Sequence, residues 1–163
     1  MTRVLEIEAF LNKAGWSKVQ RTPLAGDAGN RRYERLIDPV QGSAILMDAE
    51  PKLGEDIRSF LKISLHLSDC EISAPKIFSQ DISLGLILMQ DFGDELLCKV
   101  ANDAPHLELP LYRLAIDALG QLHQSPPPKE VGDYLTPEMA RALAATLPWY
   151  CKKTLSQKIE REV

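Results

Sequence analysis

Three stretches of this 163-residue chain carry residue types that could do chemistry: Gly26-Asp27-Ala28-Gly29-Asn30, the adjoining Arg31-Arg32, and Gln90-Asp91-Phe92-Gly93-Asp94. Glycines in a turn permit positive φ and let backbone N–H groups approach phosphate oxygens closely. An arginine fork matches the same oxygens. Asp91-Phe92-Gly93 has the composition of a magnesium loop for phosphoryl transfer. Such a loop follows a segment with an Asp two residues after a His and an Asn five residues after that Asp. The three histidines do not supply it: His66 precedes Leu67-Ser68, His106 precedes Leu107-Glu108, and His123 precedes Gln124-Ser125. The apolar run from Gly85 to Met89 reads instead as a buried strand entering a hinge.

Each stretch also has a plainer explanation. Gly26 to Asn30 lacks both the three-glycine pattern and the terminal lysine of the common phosphate loops, and an ordinary hairpin turn fits it equally well. Arg31 and Arg32 begin an extended segment, where alternation sends their side chains to opposite faces, so at most one can face a nucleotide. Cys70, Cys98 and Cys151 are separated by 28 and 53 residues (98 − 70 and 151 − 98), unlike metal-knuckle spacing, and read as reduced thiols.

The elements that must position these stretches follow from periodicity. Thr2 is placed to cap an amphipathic helix bearing Val4, Ile7, Leu11 and Ala14, with Gly15 as its stop. Extended segments near 18–24, 31–37 and 44–47, joined by turn residues, predict an antiparallel meander. Apolar residues from Glu55 to Leu67 predict a helix on that sheet. Strands return near 76–79 and 84–89. Beyond residue 107 only helices are expected, with Pro110 opening one and Thr136-Pro137 another, Pro148 ending the latter. Strands first and helices afterwards is an α+β layout. The predicted divisions are 1–90, a connecting hinge at 91–95, and a helical part at 96–163.

Hydrophobic and charged fractions of 45% and 26% are those of a globular protein. A net charge of −4 disfavours nucleic acid as a partner. Met1 to Gly15 lacks the zones of a signal peptide and no apolar run approaches a membrane span, so a cytoplasmic location without membrane contact is expected.

The order of elements and four motifs together resemble the aminoglycoside phosphotransferase and choline kinase superfamily, which has a protein-kinase-like fold, and within it the bacterial N-acetylmuramate/N-acetylglucosamine kinase group. The motifs are Leu24 to Tyr33, Leu46-Met47-Asp48-Ala49, Ala74-Pro75-Lys76-Ile77, and Leu86 to Asp94. The resemblance covers roughly Leu5 to Leu122. It implies a small lobe, a five-stranded antiparallel sheet plus helix, followed by the first helices of a truncated helical lobe. It implies ATP as cofactor, with Gly26, Asp27, Ala28, Gly29, Asn30, Arg31, Arg32, Met47, Met89, Gln90, Asp91 and Phe92 around it. The backbone of Gln90 and Phe92 is the implied adenine contact, with Met89 lining the pocket. Met47 stands where the family places a phosphate-bridging lysine, which leaves neutralisation to Arg31, to Arg32, or to groups beyond this chain. Glu55, whose family counterpart pairs with that lysine, reads here as a solvated first-turn residue favourable to the helix dipole. Asp91 and Asp94 read as a helix-capping and hinge-turn pair rather than metal ligands.

The resemblance also places the catalytic base and the magnesium ligands well beyond Thr154. The expectation is therefore an ATP-dependent small-molecule phosphotransferase, acting on a sugar or alcohol, represented by its nucleotide-binding part and inactive in these 163 residues alone. No catalytic or metal-binding residue is assigned within them, and Mg2+ is expected only with the remaining helical lobe. The alternative is a non-catalytic nucleotide-binding or partner-binding descendant of that family. Apolar faces on the 111–122 and 139–147 helices would favour self-association.

Overall fold

The structure, a computed structural model, describes residues 2–25, 29–129, 131, 137 and 139–144. The chain divides into two compact units, Met1–Pro126 and Pro127–Val163. The division falls after the fourth helix. In the second unit residues 137 and 139–144 are helical; Thr136, Pro148 and residues 149–163 lie outside the described residues.

The first unit opens with helix α1 (Arg3–Lys13). Ile7, Phe10 and Leu11 fall on one stripe and are buried. Gly15 ends it at φ +79°, a conformation a side chain would strain, and the Trp16 N–H returns to the Leu11 carbonyl at 2.8 Å. Thr2 occupies the N-cap position without a side-chain cap; its carbonyl, not its hydroxyl, receives the Glu6 N–H.

Five strands follow the expected pattern: β1 (Gln20–Pro23), β2 (Arg32–Asp38), β3 (Gly42–Asp48), β4 (Ile77–Asp81) and β5 (Leu86–Gln90). All neighbours are antiparallel, in the order β1-β2-β3-β5-β4. The pairings Tyr33↔Met47↔Ile87 and Arg35↔Ile45↔Met89 fix which residues share a face. Leu36, Ala44, Leu46, Leu86 and Leu88 form one core with the α1 residues. Ile45, Met47, Ile87 and Met89 form another with Ile57, Phe60 and Leu61 at helix α2 (Arg58–Asp69). The central strands β3 and β5 are therefore apolar on both faces, which is why they read as continuous hydrophobic runs and not as alternation.

Helix α2 begins three residues later than Glu55, so Glu55 belongs to the approach segment and not to the first turn. Helix α3 (Leu97–Asp103) and helix α4 (Glu108–His123) complete the unit, and among the described residues no strand follows Gln90. Pro110 sits in the first turn of α4 and does not open it. The Gln121 amide donates to the Cys70 carbonyl at 2.8 Å, tying α4 to the end of α2.

Candidate functional site

Two parts of the candidate site lie on the α2 face of the sheet. At one end, Ala25, Gly29, Arg31, Tyr33 and Glu55 line an open cavity of about 630 Å³. Gly26, Asp27 and Ala28, the middle of the glycine turn, lie outside the described residues. The turn's end is pinned: the Asn30 side-chain amide donates to the Leu53 carbonyl at 3.2 Å, in the short 3-10 turn Pro51–Leu53 that precedes Glu55. Arg31 Nε donates to Glu55 Oε2 at 2.8 Å. The Glu55 hydrogen bond raises the Arg31 pKa, with its charge and that of Tyr33 adding to the effect. Glu55 thus serves an arginine from the glycine turn and is not merely solvated.

Arg32 occupies the alternate position. It pairs in register with Asp48, shares the parity of Leu36, and is exposed. Met47 is fully buried among Ile45, Ala49, Ile57 and Ile87, so its side chain is core and not cavity wall. Met89 belongs to the same apolar cluster, against which Tyr33 and Leu24 pack. That cluster joins the cavity end of the face to the end of β5.

The other part is the connection after β5. The Gln90 N–H donates to the Lys76 carbonyl at 2.8 Å, and the Gln90 side chain accepts the Lys76 N–H at 3.3 Å. The Gln90 N–H is therefore engaged within the protein. Among the described residues no hydrogen bond takes up the backbone of Phe92, whose side chain is more than half exposed. Gly93 turns the chain at φ +78°, and its N–H donates to Asp91 Oδ1 at 2.8 Å.

Arg35, not singled out by the sequence, organises this turn. It lies two residues beyond Tyr33 on the same face, opposite Ile45, which in turn pairs with Met89. Its Nη1 and Nη2 each donate to Asp94 at 2.8 Å, and Nη2 also reaches Asp91 Oδ1 at 3.2 Å. Nε lies 2.7 Å from Asp91 Oδ2 but is not directed for a hydrogen bond. Burial pushes the Asp91 pKa up, yet the Gly93 N–H, Arg35 and the Ser43 hydroxyl outweigh it and hold the carboxyl below its ordinary range. Asp94 is also lowered, mainly by its hydrogen bonds to Arg35. Neither aspartate caps α3, whose N-cap is Leu96. Alternation along β2 could have placed Arg35 on the site face; its pairing with a carboxylate 56 residues away could not be read from spacing.

Comparison with known proteins places the chain in a family. A family model described as the phosphotransferase enzyme family matches residues 20–161. A relative from Caulobacter vibrioides named N-acetylmuramate/N-acetylglucosamine kinase is 33% identical, with 74% of this chain and 40% of the relative covered. Relatives of the same name from Pseudomonas aeruginosa and Pseudomonas putida are each 30% identical, covering 91% and 82% of this chain and 44% and 38% of their own lengths. The chain thus spans less than half the length of these curated relatives. With a match over residues 20–161 and relatives at 30–33% identity, the chain belongs to the phosphotransferase enzyme family.

Proposed function

We propose that these residues form the nucleotide-binding part of an ATP-dependent kinase for a small hydroxylated acceptor, an amino sugar of the kind named for its relatives. The observation that carries this is the cavity walled by Gly29 and Arg31, on the same face of the sheet as the connection after β5, where the Phe92 backbone is left for a ligand. The purine edge offers a donor and an acceptor, which extended backbone can match. With the Gln90 N–H engaged, that contact falls to the Gln90 carbonyl and the Phe92 backbone, beside Met89. Gly26 to Asn30 supplies the turn over the phosphates. Asp91 is the keystone of the hinge turn and not a ligand, since its carboxylate is already held by Arg35, Gly93 and Ser43. Residues 91–95 connect the nucleotide-binding part to the helices. Magnesium, in this reading, binds with groups outside the residues assigned here, and supplies charge neutralisation during transfer. The protein works in the cytoplasm, on small molecules and not on nucleic acid or membrane.

A second reading, a non-catalytic nucleotide-binding or partner-binding module, draws support from α4. Leu109, Leu114, Ile116 and Leu119 are 61%, 65%, 64% and 56% exposed there, a surface suited to association with another chain or with a second copy. One experiment separates the two readings. ADP release with N-acetylmuramate and N-acetylglucosamine is measured for the 163-residue protein and for a version extended with the remaining length of a curated relative. The kinase reading expects turnover from the extended protein and none above background from the short one. Turnover by the short protein would show that the base and metal site lie within it. Silence from a folded extended protein would favour the non-catalytic module.

A further inference from the structure

We propose that Arg31, held in place by Glu55, is the cation that contacts the nucleotide's phosphate groups, and that Arg32 takes no part. The inference rests on the nucleotide-binding reading and assigns the charge that reading leaves open. Arg31 is a wall of the cavity together with Gly29 and Tyr33, and a volume of about 630 Å³ is ample for a polyphosphate chain. A guanidinium carries five N–H donors in a fixed plane. Glu55 takes the one on Nε at 2.8 Å, while the Arg31 side chain stays 38% exposed and Glu55 only 17%. The carboxylate thus sits behind the arginine and, with Tyr33 as a further partner, fixes its plane, and the guanidinium still has donors to offer a ligand. Asn30, bonded to the Leu53 carbonyl, ties the residue before Arg31 to the segment that leads to Glu55, so the two partners share one frame. The strand position that could offer a second cation is closed, because Met47 is fully buried. Arg32 has the parity of the α1 face, paired in register with Asp48.

The test is the affinity of the 163-residue protein for ATP and for adenosine without added metal, by calorimetric titration. Wild type is expected to prefer ATP by about tenfold or more, the scale of one charge-assisted contact. Arg31→Ala should remove about tenfold of that preference with adenosine affinity unchanged, and Arg32→Ala should leave the preference intact. A merely structural arginine would move both ligands together. Wild type binding ATP and adenosine equally, Arg31→Ala keeping the preference, or Arg32→Ala abolishing it would each overturn the assignment while the adenine-binding reading stands. Wild type binding neither ligand would overturn both. If Arg31→Ala loses adenosine as well, Arg31→Gln, which keeps a donor for Glu55 without the charge, decides by the same ratio.

Discussion

Asp91→Asn tests the hinge turn most sharply, because it removes a charge and changes little else. The Asp91 side chain is 4% exposed and that of Arg35 20%, while Asp94 is 71% exposed. A hydrogen bond to a charged group contributes about 1.5–3 kcal/mol net. Asparagine keeps an oxygen for the Gly93 N–H, and Arg35 keeps Asp94, so the loss should fall near the bottom of that range, about 1–2 kcal/mol. For a unit of this size that lowers the melting temperature by roughly 3–8 °C at pH 7. The native Asp91 carboxyl titrates below its unfolded value. Its contribution is therefore complete above the ordinary carboxylate range and is lost as pH falls through the depressed native pKa, so the gap between wild type and variant should close between about pH 5 and pH 2. Circular-dichroism melts of both proteins at pH 7, 5 and 3 read this out. Equal melting temperatures at pH 7, or a gap that stays constant down to pH 3, would refute the reasoning. Manganese-induced broadening of resonances near Asp91 in wild type but not in Asp91→Asn would refute it in another way, by showing the carboxylate to be a metal ligand.

Two further substitutions test the sheet beneath the site. Gly85 has φ +66°, and a Cβ there would stand 2.0 Å from the Ala49 carbonyl oxygen, so Gly85→Ala must shift backbone that the Ala49 N–H to Gly85 carbonyl bond fixes. A cost of about 3 kcal/mol or more is expected in urea denaturation, and a loss under about 1 kcal/mol would show that the β4–β5 turn yields freely. Met47→Lys, which restores the family's lysine, buries an ammonium among Ile45, Ile57 and Ile87. It should destabilise by about 3 kcal/mol or more without tightening ATP binding, and tighter ATP binding by a folded variant would show that position 47 does reach the phosphates.

Much of the architecture was legible because its causes are local. Continuous apolar runs at 44–47 and 84–89, turn residues between extended segments, and the periodic stripe of α1 each announce their element without reference to the rest of the chain. The errors lie where an end is set by something distant. Glu55 falls ahead of α2, where its carboxylate meets Arg31, and Thr2 leaves its helix without a side-chain cap. Spacing within a helix cannot register such partners. The five antiparallel strands follow from local pattern; the insertion of β5 between β3 and β4 follows from which apolar strands can be covered on both faces.

The site shows the same division. The sequence by itself determined the kind of groups available: glycines that permit a tight turn, two arginines on opposite faces, and an apolar strand ending in Gln90-Asp91-Phe92-Gly93. Those are properties of residue type and of period-two alternation, which hold for any strand. Only the tertiary structure decided that Arg31 meets Glu55, that Arg35 clamps Asp91 and Asp94, and that Met47 is core. An ion pair depends on how two segments 24 or 56 residues apart are brought together, and burial depends on what covers a face. Both are consequences of packing, which no single segment carries.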